Sequence, residues 1–143
     1  MPAAATILLV DDSPGECELF RLALAQSDEV ATLQIAHDSA EALHLLNTQS
    51  TVPSVILLDW KLRGPHGNEL LTRLRTDARV STLPIVIFST SEEVSDLANA
   101  YAGGANGYVV KPATFEELVQ CVGDICRYWM KRNRTPTTVL GPC

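Results

Sequence analysis

A surplus of basic residues is the first thing this chain lacks. Its 143 residues hold 11 Lys and Arg against 17 Asp and Glu, a formal net charge of -6. Nonspecific nucleic-acid affinity comes from clustered cations that neutralise phosphates, so direct binding to nucleic acid is not expected. Long apolar runs are also missing. No stretch approaches the ~20 residues that cross a bilayer, and Met1-Pro2-Ala3-Ala4-Ala5 has neither the basic nor the apolar region of a secretory signal. A cytoplasmic protein without membrane contact is the expectation. Cys17, Cys121, Cys126 and Cys143 form no C-x-x-C pair, and the first three read as buried small hydrophobes. Cys143, in a polar tail, reads as an exposed thiol that links copies only under oxidation. His37, His44 and His66 have no metal-ligand spacing, and the absence of a G-x-x-x-x-G-K-[ST] loop leaves ATP binding without support.

What the chain does have is a recurring short apolar run. Ile7 to Val10, Val55 to Leu58, Ile85 to Phe88 and Tyr108 to Val110 are of strand length, and unbroken apolar runs suit strands covered on both faces of a parallel sheet. Thr32 to Ala36 alternates instead, as an edge strand does. Between the runs lie helical patterns, clearest in the stripe Phe115, Leu118, Val119, Val122, Cys126 and Trp129. Ser13-Pro14 with Glu16, and Thr114 with Glu117, carry capping-box starts for the first and fifth helices. Strand and helix alternate five times, which predicts one α/β domain: a doubly wound, five-stranded parallel sheet with right-handed crossovers. The domain is expected over residues 6–131, with 132–143 a tail or arm too short for an output domain.

Open sheets of this class bind ligands beyond the carboxyl ends of their strands, where strand order reverses; flavodoxin and CheY, of order 2-1-3-4-5, follow that rule. Here the strand ends carry Asp11-Asp12, Asp59, Ser89-Thr90 and Lys111. Each has a plain structural reading. The acids suit the start of a helix, either hydroxyl suits a cap on the fourth helix with Glu92 or Glu93 behind it, Lys111 suits a turn before Pro112, and Tyr108 and Trp129 suit the core. None of these readings explains why all the polar groups share one end of the sheet. Three close carboxylates repel unless a cation or a raised pKa relieves them. An oxygen-only donor set without His or Cys suits Mg²⁺, and a metal beside a carboxylate and a lysine suits phosphoryl transfer.

Asp11-Asp12 after Ile7 to Val10, Asp59 after Val55 to Leu58, Ser89 after Pro84 to Phe88, and Lys111-Pro112 after Gly107 to Val110 together resemble the receiver domain of two-component response regulators, over roughly residues 6–130. The resemblance implies a CheY-like fold and an aspartyl phosphate on Asp59, received from a phosphohistidine of a sensor histidine kinase. It also implies that Asp12, Asp59 and the Lys61 carbonyl hold Mg²⁺ with Asp11 nearby, that Lys111 pairs with the phosphoryl group, that Ser89 hydrogen-bonds it, and that Tyr108 follows as a rotating aromatic. Tyr101, Gly104-Ala105-Asn106, Tyr108, Phe115 and Tyr128-Trp129 further resemble the single-domain regulators that accompany bacterial phytochromes. That likeness implies a light-sensing kinase as donor and a homodimer through the fourth helix, fifth strand and fifth helix.

Some positions depart from the common receiver pattern. Arg63 stands where many receivers have Pro, with Pro65 two further on, Thr90 replaces a small residue, and Lys61 brings a cation within reach of a phosphoryl group or attacking water. These changes bear on phosphoryl lifetime. The expected role is a binding switch and not a turnover enzyme; a phosphorelay carrier and a pseudo-receiver scaffold that is never phosphorylated stay open beside it. A haloacid-dehalogenase-like phosphatase wants a second Asp where Lys61 stands, and a flavodoxin-like carrier wants a hydroxyl-rich first loop where Asp11-Asp12 stand. Thr137 to Leu140, after basic Lys131, Arg132 and Arg134, read as an arm able to cross a dimer.

Overall fold

Ile7 to Val10, Val55 to Leu58 and Ile85 to Phe88 are each buried to within a few per cent, because the strands they form lie inside a sheet with helices on both faces. A computed structural model describes residues 5–49, 52–62 and 66–136. Strands β1 (Thr6–Val10), β2 (Thr32–Ala36), β3 (Val55–Leu58), β4 (Ile85–Ser89) and β5 (Gly107–Val110) alternate with helices α1 (Pro14–Gln26), α2 (Ser39–Thr48), α3 (Gly67–Thr76), α4 (Val94–Ala102) and α5 (Phe115–Ile125). All neighbouring strands pair in parallel, in the order β2-β1-β3-β4-β5. The fold is therefore the expected doubly wound, CheY-like sheet.

Successive strand residues point to opposite faces and so divide the core in two. Leu8, Val10, Ile56, Leu58, Ile85 and Ile87 pack with Leu46 of α2, Leu70, Leu71 and Leu74 of α3 and Ala100 of α4. Ile7, Leu9, Val55, Leu57, Val86 and Phe88 pack with Phe20 of α1 and Val122 and Ile125 of α5. The helix starts follow their local chemistry: Ser13 accepts from the Glu16 N–H at 3.3 Å, Asp38 from Glu41 at 2.7 Å and Thr114 from Glu117 at 3.1 Å.

Two expectations are corrected here. β5 is less buried than the other unbroken runs: it is the second edge of the sheet, Tyr108 and Val109 are half-buried, and Val110 is exposed. Its run is apolar because Tyr108 packs on one core cluster and Val109 on the other. The fifth helix also does not keep one pitch. From Cys126 to Arg132 it widens to π-helical geometry, ending where the Asn133 N–H donates to the Tyr128 carbonyl at 2.7 Å. Trp129 still packs on the core from this extension, and Lys131 Nζ lies 2.9 Å from the largely buried Glu29 carboxylate after α1. Cys17 and Cys126 are buried as expected, whereas Cys121 is half-buried; Arg63, Pro65, Cys143 and the arm at Thr137 to Leu140 lie outside the described residues.

Two close approaches set loops at opposite ends of the sheet, Arg75 at the amino ends of β4 and β5 and Gly67 at the carboxyl end of β3. Arg75 of α3 donates to the carbonyls of Gly104, Ser81 and Leu83 and to Asn106 Oδ1, at 2.6 to 3.1 Å. It braces the turn between α4 and β5, in which Gly104 has a φ of 106° that disfavours any side chain. Gly67 opens α3 directly against β3, where a Cβ would stand 2.8 Å from the Asp59 carbonyl oxygen and 3.0 Å from Trp60 Cα. Both neighbours are backbone and cannot yield without moving the loop. Gly67→Ala should therefore destabilise the domain by about 1–3 kcal/mol in urea unfolding. Gly15→Ala, with nothing within 4 Å of its Cβ, should leave the midpoint near that of the wild type or slightly above it.

Candidate functional site

The register of β1 on β3 places Val10 beside Leu58, so the acids that follow each strand also become neighbours. The ladder continues one step past the strands: Asp59 N–H donates to the Val10 carbonyl at 2.9 Å, and Lys111 N–H to the Ser89 carbonyl at 2.8 Å. Asp11, Asp59, Ser89 and Lys111 are thus delivered to one end of the sheet by backbone pairing. Asp11 is 2% exposed and Asp59 9%. One oxygen each from Asp11, Asp12 and Asp59 lies within 4.8 Å of the others.

Lys111 is the counter-charge to this cluster. Its Nζ stands 2.7 Å from Asp11 Oδ2, 2.9 Å from Glu16 Oε2 and 3.5 Å from Asp59 Oδ2, and 5.8 Å from the centroid of the Phe88 ring. Burial pulls the ammonium's pKa down, but the Asp11 hydrogen bond, the Asp59 charge and the Glu16 hydrogen bond outweigh it, holding the pKa above the usual lysine range. Asp59 is pushed the other way. Burial raises its carboxyl above the ordinary value against the pull of Lys111, with the Asp11 charge adding to the rise and the Lys61 N–H, at 3.2 Å from Oδ1, opposing it. Three oxygen donors with one carboxylate held short of full solvation fit a hard divalent cation.

Glu16 went unrecognised as a site residue in the sequence. A capping box would turn its carboxylate back to the Ser13 N–H, but that N–H donates to Asp11 Oδ1 at 2.9 Å. Glu16 is thereby released toward Lys111. The signal was in the sequence, an acid one helical turn beyond Asp12, but the capping motif absorbed it.

In the loop after β4 the plain capping reading does not hold. Neither Ser89 nor Thr90 caps α4, which begins at Val94 with Glu93 as its cap residue; Thr90 is exposed and Ser89 is fully buried. Ser89 Oγ accepts from the Ser91 N–H at 3.3 Å, Ser91 Oγ donates to Asp96 Oδ2 at 2.5 Å, and Tyr108 donates its hydroxyl to the Ser91 carbonyl at 2.9 Å. Lys61 does not direct its ammonium to the carboxylate cluster. Nζ lies 3.1 Å from Asp96 Oδ2, on α4. The Ser91 hydroxyl, with Lys61 and Trp60 behind it, holds the Asp96 carboxyl below its usual range despite burial.

The response regulator receiver domain family matches this chain over residues 7–123. The chain belongs to that family. It is similar to the cyanobacterial phytochrome response regulator RcpA, whose crystal structure is of the phosphorylated protein: 29% identity, a TM-score of 0.85, and coverage of 94% of this chain and 99% of that one. Response regulator Rcp1 of Synechocystis is 29% identical over 91% of this chain and 92% of its own length, and its Mn²⁺-bound structure superposes with a TM-score of 0.80. The bacteriophytochrome response regulator AtBRR is 34% identical, with a TM-score of 0.72 and coverage of 93% and 100%. In other curated relatives, which are transcriptional regulators, the chain spans about half of the length. This is accordingly a receiver of phosphorylation-based two-component signalling, with the acidic pocket at which receivers bind a divalent metal.

A raised carboxyl pKa means that the folded state binds more protons than the unfolded chain above the ordinary aspartate range, so stability falls as pH rises through the Asp59 transition. Without divalent metal, Asp59→Asn should therefore melt above the wild type at neutral pH, with the gap closing as pH falls. Added Mg²⁺ should raise the wild-type Tm and leave the variant nearly unmoved. A thermal scan across pH checks both.

Proposed function

We propose that this receiver accepts a phosphoryl group on Asp59 from the phosphohistidine of a sensor histidine kinase, a bacterial phytochrome, and acts in the cytoplasm as a switch read by binding. The observation that carries the reading is the Asp59 carboxylate, buried at a strand end with the Lys111 ammonium 3.5 Å away and the Asp11 and Asp12 oxygens beside it. The likeness to phytochrome response regulators over nearly the whole chain supports the choice of donor. The receiver is taken to span residues 6–131 and the tail 132–143.

In the transfer, an Asp59 carboxylate oxygen attacks phosphorus as the phosphorus–nitrogen bond to histidine breaks, and the electron pair leaves with the imidazole. Lys111 stays protonated throughout, since three carboxylates stabilise its charge, and offers that charge to the incoming oxygens. Asp11, Asp12, Asp59 and the Lys61 carbonyl are the groups that would hold Mg²⁺. Bound there, the ion supplies Lewis-acid neutralisation of the transferred group. Ser89, buried at the end of β4 and accepting the Ser91 N–H, would donate its hydroxyl to a phosphoryl oxygen and draw the loop in. The loop moves with it, and Tyr108 is bonded to that loop.

Output is assigned to the face of α4, β5 and α5, through which two copies pair. Tyr101, Val110 and Tyr128 leave exposed apolar surface on these elements and on the π-helical extension. Sedimentation should find a dimer, and Val110→Lys should shift it toward monomer.

The deciding measurement is intact mass after treatment with acetyl phosphate. A single phosphoryl adduct, dependent on Mg²⁺ and absent from Asp59→Asn, is expected; Lys111→Ala should slow its formation by at least about tenfold, given the loss of a buried charge at the reacting group. A folded wild type that takes up no adduct would identify a pseudo-receiver.

A further inference from the structure

Ser91 is bonded on every polar atom it has. Its N–H donates to Ser89 Oγ, its hydroxyl donates to Asp96 and accepts from the Glu93 N–H, and its carbonyl accepts from the Tyr108 hydroxyl. A residue in an exposed loop is held this firmly only if its partners are themselves fixed. Ser89 is fixed by β4. Asp96 is fixed from the other side, because Oδ2, which takes the Ser91 hydroxyl at 2.5 Å, also takes the Lys61 ammonium at 3.1 Å. Lys61 is anchored in turn at its backbone, whose N–H donates to Asp59 Oδ1 at 3.2 Å. A continuous polar chain therefore runs from Asp59 through Lys61, Asp96 and Ser91 to Tyr108. It joins the loop after β3 to the first turn of α4 and to the edge strand β5.

We propose that the Lys61–Asp96 ion pair is a positioning device: it fixes Ser91, and through the Ser91 carbonyl it keeps the Tyr108 ring packed inward, so that the loop carrying Asp59 is tied to the β5 edge before any phosphoryl group arrives. The proposal rests on the reading of Tyr108 as part of the output face. Lys61 is a positioning residue in it. Its side chain is 55% exposed and contributes little packing, so its removal tests the charge and not the core. Asp96 is 7% exposed and receives two charge-assisted bonds, the arrangement that makes a polar link directional. Glu93 lies near enough to raise the Lys61 pKa as well, so a lysine that loses Asp96 has a second acid to turn to. That exchange would break the chain even while the lysine stays paired.

The test uses the full chain without a phosphodonor, with its tyrosines replaced by 3-fluorotyrosine and the Tyr101, Tyr108 and Tyr128 resonances assigned by single Tyr→Phe substitutions. In the wild type the Tyr108 fluorine resonance should stand apart from those of exposed Tyr101 and Tyr128 and show the smaller solvent isotope shift. Lys61→Met and Asp96→Asn should each move it most of the way toward the exposed pair, a several-fold change in the inward to outward ratio. Lys61→Arg, which keeps the cation beside Asp96 and leaves the acceptor of the Ser91 hydroxyl in place, should leave it near its wild-type position. A Tyr108 resonance unmoved in folded Lys61→Met overturns the proposal, as does a displacement in Lys61→Arg as large as that in Lys61→Met. Lys61→Met keeps the test decisive even where an Asp96 variant fails to fold. The readout needs no aspartyl phosphate, so a wild type that takes up no adduct would remove the acceptor role of Asp59 while the clamp stood or fell on its own result.

Discussion

The Lys111 ammonium, 9% exposed and set between Asp11, Glu16 and Asp59, is the contact on which the site depends. Burying one carboxylate costs several kcal/mol, and burying two side by side adds their repulsion. Parallel pairing forces that juxtaposition, because β1 and β3 run in register and their first residues past the strand must emerge together. The lysine arrives by the same logic from the far edge, its N–H extending the ladder of β4 and β5. Its long stem then carries the charge from the sheet's edge strand back to the switch point between β1 and β3. The carboxylates and the ammonium are bearable only together, and the result is a pocket short of positive charge by design of its geometry.

That shortage ties stability to function. The formal balance around Lys111 is one cation against three carboxylates, with Asp12 a fourth acid nearby. Burial raises the Asp59 pKa, so the metal-free site holds an acid that pays to be charged. In the proposed acceptor role Asp59 must stay ionised, and a divalent cation bound beside it would relieve that same acid. Binding a metal and preparing the nucleophile are in this sense one electrostatic event.

How much of this could be read in the sequence depended on whether position or direction decided the outcome. Asp11, Asp12, Asp59, Ser89 and Lys111 were legible because an unbroken apolar run marks a buried parallel strand, and the residue after it must emerge at the binding end. Five alternations implied a doubly wound parallel sheet, and the order of its strands came with the receiver resemblance. Lys61, Glu16 and Asp96 were not legible in the same way. Each sits where several partners lie within reach, and the choice among them is made by side-chain direction. Glu16 faces Lys111 because Asp11 has already taken the Ser13 N–H, a contest between two acceptors for one donor that spacing does not settle. β5 is less buried than its unbroken run suggests for a related reason: a short run with an aromatic can serve two core faces from an edge as well as from the middle.

Lys61 and Lys111 have equal formal charge and lie on loops that meet at the same end of the sheet, yet they do unlike things. Lys111 sits in a low-dielectric pocket, where its interaction with each oxygen is strong and little screened, and that makes it suited to a charge that appears during reaction. Lys61 stands at the surface, where a single ion pair is weak and salt-screened. Its leverage comes from what it shares: an Asp96 oxygen that also receives the Ser91 hydroxyl. A weak bond that completes a network of fixed donors and acceptors can bias a loop between two arrangements where an equally weak isolated pair could not. The buried lysine thus suits the chemistry proposed at Asp59, and the exposed one the proposed arrangement of the loop.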